Sequence, residues 1–196
     1  YIPFVGLPFI YLATIFHETS HALVALLTGG HVIEFVLSPD GSGHVLSQGG
    51  IGFLIAFSGY FGVTLWAALL FHAGKNQHFT KAVLGMLIAI FSLTLILWVN
   101  NLITALILGA VIALLVGMLV KTSTRFITYL SQAIAILVLF NAIKSPLYLI
   151  DGRALGDGAM LGKMTWIPEI VWVSVWCFSG LAVLYWLFFS LDKEQS

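Results

Sequence analysis

The sequence predicts an all-α, polytopic membrane protein of about six transmembrane helices, with a small β-hairpin loop after the first helix. Three observations predict it. The 196 residues are 60% hydrophobic and only 8% charged, with a mean hydropathy of +1.06, so the bilayer must be the solvent for most of the chain. Six stretches reach the roughly 20 apolar residues that a spanning helix needs: about 4–27, 51–73, 81–99, 102–120, 126–150 and 166–190. Between the first two lie a β-rich run, a Pro39-Asp40-Gly41 turn and a second short run, which is hairpin patterning.

The first segment has no charged n-region and no small-residue cleavage site, so it reads as a retained helix and not a removable signal peptide. Loop 28–50 is either a solvated connector or an exposed strand edge able to pair with an extended peptide. Asn100-Asn101, between two apolar runs, predicts a tight turn joining the third and fourth helices. The fifth segment carries Asn141, Lys144 and Pro146 before Asp151, so its end is expected to be broken or unwound. Such backbone is tolerated at membrane depth only against protein or a water-filled cavity. No internal repeat is visible, and residues 1–196 read as one membrane-embedded domain.

Charge sets the orientation. With six spans both termini share a side with Lys75, Lys81, Lys121, Arg125 and Lys193, while loop 28–50 has no Lys or Arg. Arg153 and Lys163 fall on the other side. The excess predicts that both termini are cytoplasmic. Net charge is zero without a basic run, so nucleic acid is not an expected partner. Cys177 is alone, forms no intrachain disulfide and reads as a small buried hydrophobe. His31, His44, His72 and His78 lie in or near loops and read as surface residues. Trp66, Trp98, Trp166, Trp172, Trp176 and Trp186 read as interface or packing aromatics. Gly59-Tyr60-Phe61-Gly62 reads as a helix-packing surface.

The chemistry is concentrated in His17-Glu18-Thr19-Ser20-His21, an HExxH pattern inside the first apolar stretch. The spacing puts both imidazoles on one helical face, where they can bind one zinc ion. Glu18 can then accept a proton from a water that the ion activates. Ionisable residues at such depth are functional candidates by default. Catalytic zinc usually takes three protein ligands and keeps one position open. Among the remaining acidic residues, Asp151 and Asp157 lie where the helical pattern breaks. Six residues apart on a regular helix, they would point about 120° from one another, so only one of them would reach the metal.

Three blocks resemble the site-2 protease type of intramembrane zinc metalloprotease. The first is His17-Glu18-Thr19-Ser20-His21-Ala22-Leu23 with Leu27-Thr28-Gly29-Gly30. The second is Ser38-Pro39-Asp40-Gly41-Ser42-Gly43 with Gly49-Gly50 and Ser58-Gly59-Tyr60-Phe61-Gly62. The third runs from Asn141 through Ser145, Asp151 and Gly156-Asp157-Gly158 to Ile167-Pro168-Glu169-Ile170-Val171-Trp172. The chain is most similar to the compact bacterial and plant branch without PDZ domains. That resemblance implies zinc as cofactor and an Asp near the start of a late helix as third ligand. Gly156-Asp157-Gly158-Ala159 is similar to the Ser-Asp-Ala block of the compact branch, with Gly in place of Ser and Ala. Ile150-Asp151-Gly152-Arg153 is similar to the Leu-Asp-Gly block of other members, after a long spacing from Asn141. The metal ligands expected are therefore His17, His21 and Asp157, or Asp151 instead of Asp157, with Glu18 catalytic.

Asn141 is the candidate for positioning the substrate carbonyl, its alternative role being to cap the fifth helix. The activity implied is hydrolysis of peptide bonds within or near transmembrane segments of membrane-protein substrates, in a bacterial cytoplasmic membrane. The alternative is a membrane transporter, or a catalytically inactive scaffold, that uses the HExxH site structurally. A transporter would more naturally show paired discontinuous helices in two related halves.

Overall fold

A computed structural model describes residues 3–121, 123–150, 152–153 and 155–192. The chain runs α1 (Pro3–Leu27), β1 (His31–Leu37), β2 (Gly43–Gln48), α2 (Gly52–Ala73), α3 (Gln77–Leu97) and α4 (Leu102–Lys121). It continues through α5 (Thr124–Lys144), a 3-10 turn (Ser145–Leu149), α6 (Asp157–Thr165) and α7 (Glu169–Asp192). Six helical stretches are long and apolar enough to cross a membrane, among them Pro8–Leu27, Gly52–Ala73 and Arg125–Leu149. They correspond to the six expected spans, and the protein is an integral, multi-pass membrane protein.

Capping residues fix the boundaries. Asn76 accepts hydrogen bonds from the His78 and Phe79 amides at 2.9 and 3.2 Å, so α3 starts at Gln77, four residues before the apolar pattern does. Asn101 Oδ1 accepts from the Thr104 amide at 2.9 Å, which makes the Asn-Asn pair both turn and cap. Pro146 is the second residue after α5, and the backbone tightens there into the 3-10 turn. Trp166 adopts φ 62° and Pro168 follows. The short helix α6 ends before them and α7 starts at Glu169 instead of 166. The expected span 166–190 begins after α6, and the sequence pattern left 157–165 in the connection without a helix of its own.

The hairpin is antiparallel, with one extra residue at Ile33 between Val32 and Glu34. It is not a solvated connector. The chain leaves α1 at Leu27, yet Thr14 Oγ1 donates to the Gly41 carbonyl at 2.6 Å and Tyr11 Oη to the Pro39 carbonyl at 2.8 Å. The thirteen residue steps from Thr14 to Leu27 span about 20 Å of helix, so the hairpin folds back alongside α1. Phe35 and Leu37 enter the main core at 0% and 1% exposure. On the outer side of β1, the Phe35 amide donates to the Trp98 carbonyl at 2.9 Å. The Leu37 amide donates to Thr104 Oγ1 at 2.8 Å, and that hydroxyl donates to the Leu37 carbonyl at 3.2 Å. The outer edge of β2 makes no backbone hydrogen bond among the described residues.

Tryptophans largely pack, as expected. Trp66 stacks on Phe16 with centroids 5.5 Å apart and donates from Nε1 to Ser20 Oγ at 3.1 Å. Trp166 stands apart at 94% exposure. Cys177 is half-buried and not enclosed, with Sγ 3.3 Å from the Ile143 carbonyl. His31, His44, His72 and His78 are exposed. Because Thr104 is fully buried and satisfies both polar groups of Leu37, Thr104→Val should lower stability by about 1–3 kcal/mol. Thermal unfolding in detergent checks this; an unchanged transition would mean that the hairpin is held by apolar packing alone.

Candidate metal centre and active site

His17 and Glu18 fall at the middle of the Pro8–Leu27 span. The turn before them is tied to the hairpin tip through Thr14. The pair His17 and His21 lies four residues apart on α1 and faces α2, with their Nε2 atoms 3.0 Å from one another. Asp157, the first residue of α6, brings Oδ2 to 3.1 Å from His17 Nε2 and 3.2 Å from His21 Nε2. Among the described residues, His17, His21 and Asp157 form a group of side chains whose ligand atoms converge closely enough to hold one metal ion.

These distances test the fit to zinc. With bonds of about 2.0–2.1 Å, the ligand atoms of a tetrahedral site stand about 3.3 Å apart. The observed triangle, at 3.0–3.2 Å, is slightly tighter and of the right size. Its chemistry agrees. His21 Nδ1 lies 2.7 Å from the Ile55 carbonyl, which accepts its proton and turns Nε2 toward the triangle. Lone pairs converging in this way require positive charge between them, either protons or a metal cation.

Two glycines permit the approach. A Cβ on Gly59 would stand 2.6 Å from Nε2 of both His17 and His21. One on Gly43 would stand 3.0 Å from Glu18 Cγ and 2.9 Å from Thr14 Cγ2. The departures from the Ser-Asp-Ala pattern also have a local reason. Gly156 sits at φ +90°, which favours glycine. A Cβ on Gly158 would meet Glu169 Oε1 at 2.8 Å, so the start of α7 packs directly on α6.

A cleft of about 640 Å³ opens on this centre, with Thr14, His17, Glu18, Gly43, Tyr60 and Asn141 among its lining residues. Glu18 is 5% exposed yet reaches the cleft wall. Asp40 caps the hairpin turn by accepting from the Ser42 hydroxyl and amide at 2.7 and 3.0 Å, and these bonds hold its carboxyl below the usual range. Of the residues expected to act, His17, Glu18 and Asn141 line one cleft, His21 and Asp157 meet His17 beside it, and Asp151 lies outside the described residues. Sequence reasoning missed the Ile55 carbonyl, for which no local signal exists. It also read Gly59 as general helix packing, although the glycine lies against the His pair.

Fold and site together define a membrane-embedded protein in which two His and one Asp converge closely enough to hold a metal ion, with a Glu adjacent. The chain belongs to the peptidase M50B-like family, whose model matches residues 1–187; this is a site-2 protease family of zinc metalloproteases. No curated protein and no solved structure matched the chain.

Close approach at Gly59 gives a direct test. Gly59→Ala should weaken zinc binding by about 10–100-fold, as loss of a ligand-orienting contact does. Gly85→Ala, where a Cβ would meet nothing within 4 Å, should leave it unchanged. Competition with a chelator in detergent measures both. Equal affinities would show that the His pair does not depend on the α2 contact.

Proposed function

We propose that this protein is an intramembrane zinc endopeptidase that hydrolyses peptide bonds within or near transmembrane segments of membrane-protein substrates. One observation supports this most. The Asp157 carboxylate meets the paired Nε2 atoms of His17 and His21 halfway along a membrane span, beside a cleft that His17 and Glu18 line. His17, His21 and Asp157 would hold the zinc. When bound, it supplies a Lewis acid that polarises the scissile carbonyl and lowers the pKa of a water toward about 7.

Glu18 accepts the proton of the attacking water as its oxygen bonds to the carbonyl carbon. It returns that proton to the nitrogen as the C–N bond breaks. Asn141, across the cleft on α5, positions the substrate carbonyl. Substrate peptide groups arrive hydrogen-bonded within their own helix, so the segment must unwind before it is cut. The outer edge of β2 starts at Gly43, against Glu18, and pairs with the unwound segment. The excess of Lys and Arg around Lys75, Lys81, Lys121 and Arg125 orients both termini to the cytoplasm, in a bacterial cytoplasmic membrane.

Glu18→Gln should retain zinc and lose about 10²–10⁴-fold in the rate of cleavage of a transmembrane peptide. A variant that still cuts at the wild-type rate would overturn the assignment of the base. Zinc per chain in wild type, His17→Ala, Asp151→Ala and Asp157→Ala decides the ligands. The expected result is one zinc in wild type and in Asp151→Ala, and loss in the other two. Retention in Asp157→Ala with loss in Asp151→Ala would reverse the third ligand, and a well-folded wild type that takes up no zinc would sink the protease reading.

A further inference from the structure

Tyr60 was conspicuous in the sequence only as part of a packing stretch, but its setting is more specific. It projects from α2 into the wall of the cleft that His17 and Glu18 also line. Its ring meets the His17 imidazole edge-on, with centroids 4.4 Å apart. A second ring, that of Trp176, lies 4.9 Å away. Trp176 is itself fixed, 1% exposed and donating from Nε1 to the Phe57 carbonyl at 3.1 Å. A ring held between two such neighbours keeps one orientation.

Packing explains the ring and leaves the hydroxyl unexplained. Buried phenols normally find a hydrogen-bond partner. The Tyr60 hydroxyl makes no hydrogen bond among the described residues, nor is it one of the sealed polar atoms without a partner, which are Thr19 Oγ1, Glu169 Oε1 and Trp172 Nε1. It is therefore an unpaired donor that is not sealed within protein, on a residue that lines the cleft. Glu18 and Asn141 line the same cleft. A neutral O–H among such groups can approach a substrate without adding charge to a buried site.

We infer that Tyr60 is a further catalytic residue, whose hydroxyl donates a hydrogen bond to the scissile carbonyl oxygen as that oxygen gains negative charge. This rests on the protease reading above. As water oxygen bonds to the carbonyl carbon, the C=O electron pair moves onto oxygen, and the Tyr60 hydrogen bond strengthens there. Tyr60 keeps its proton throughout. When the C–N bond breaks, the carbonyl re-forms, the hydrogen bond weakens and the proton for the leaving amine comes from Glu18. An interaction that tightens only in the transition state raises kcat more than it lowers KM.

Tyr60→Phe removes the hydroxyl and keeps the ring against His17 and Trp176. The zinc-loaded variant is compared with wild type on a transmembrane peptide, and zinc per chain is measured for both. Expected are unchanged zinc, a KM within about twofold and a kcat lower by about 10²–10³-fold. A second measurement needs no turnover. A phosphonamidate peptide, whose tetrahedral anionic oxygen mimics the charged carbonyl, should bind at least about tenfold more weakly to Tyr60→Phe. The corresponding uncleaved peptide, measured on Glu18→Gln with and without Tyr60→Phe, should bind equally to both. Unchanged kcat, or equal weakening of both ligands, would overturn the catalytic assignment and leave packing as the role of Tyr60. A zinc-loaded wild type that cuts no membrane peptide would sink the protease reading itself, whereas a cutting wild type matched by Tyr60→Phe would sink only the inference about Tyr60.

Discussion

The convergence of His17, His21 and Asp157 at the middle of an apolar span is the constraint on which the rest of the structure depends. Imidazole and carboxylate groups are expensive at that depth unless they face one another or a cation. Three ligand atoms within 3.2 Å of one another satisfy that requirement from two distant parts of the sequence. Asp157 can reach them only if the connection between α5 and α7 turns back into the protein. The 3-10 turn, Gly156 at φ +90° and the nine-residue helix α6 provide that return. The hairpin does the same from the other side, carried down along α1 to Thr14. Both are irregular backbone at membrane depth, and both lie against protein and a cleft, as such backbone must.

Close approach makes this convergence possible, and glycine makes close approach possible. The His pair lies where a side chain on Gly59 would be, and Glu18 lies where one on Gly43 would be. At Gly62, three residues along α2 from Gly59, a Cβ would collide with Ser20 Oγ. The α1–α2 contact is thus a fitted surface in which small residues on α2 accept functional side chains from α1. That geometry also explains how a backbone carbonyl on α2, that of Ile55, comes to hold His21 by its second nitrogen. The orientation of His21 is set by helix packing here, without a dedicated polar side chain.

Legibility in the sequence followed the range of the forces involved. The spans, the Asn-Asn turn and the break after Asn141 were readable because hydropathy, capping and proline act within a few residues. His17, Glu18 and His21 were readable for the same reason, since helical spacing alone puts them on one face. The choice between Asp157 and Asp151 depends on how a polar connection folds back through the bilayer, and no local periodicity encodes that. Helix α6 was missed because its nine residues are too few to span and lie in a polar connection, before the apolar pattern of the last span begins. The hairpin was legible as a hairpin, but its depth was not, because that depends on Tyr11 and Thr14 gripping its tip from 27 or more residues away.

Occupation of one edge of the hairpin gives the other its meaning. The outer side of β1 is taken up by the Trp98 carbonyl and Thr104, which join it to the α3–α4 turn and leave β2 as the unpaired strand. An exposed edge in water invites aggregation; beside a cleft within a membrane it offers hydrogen bonds where solvent offers few. A helix entering from lipid loses its internal bonds when it unwinds, and those groups must be satisfied at once. On the protease reading, the six residues of β2 present donors and acceptors on their outer side that begin at Gly43, against Glu18. The strand would then lower the cost of unwinding where the base waits, so that recognition and chemistry rest on a single stretch of backbone.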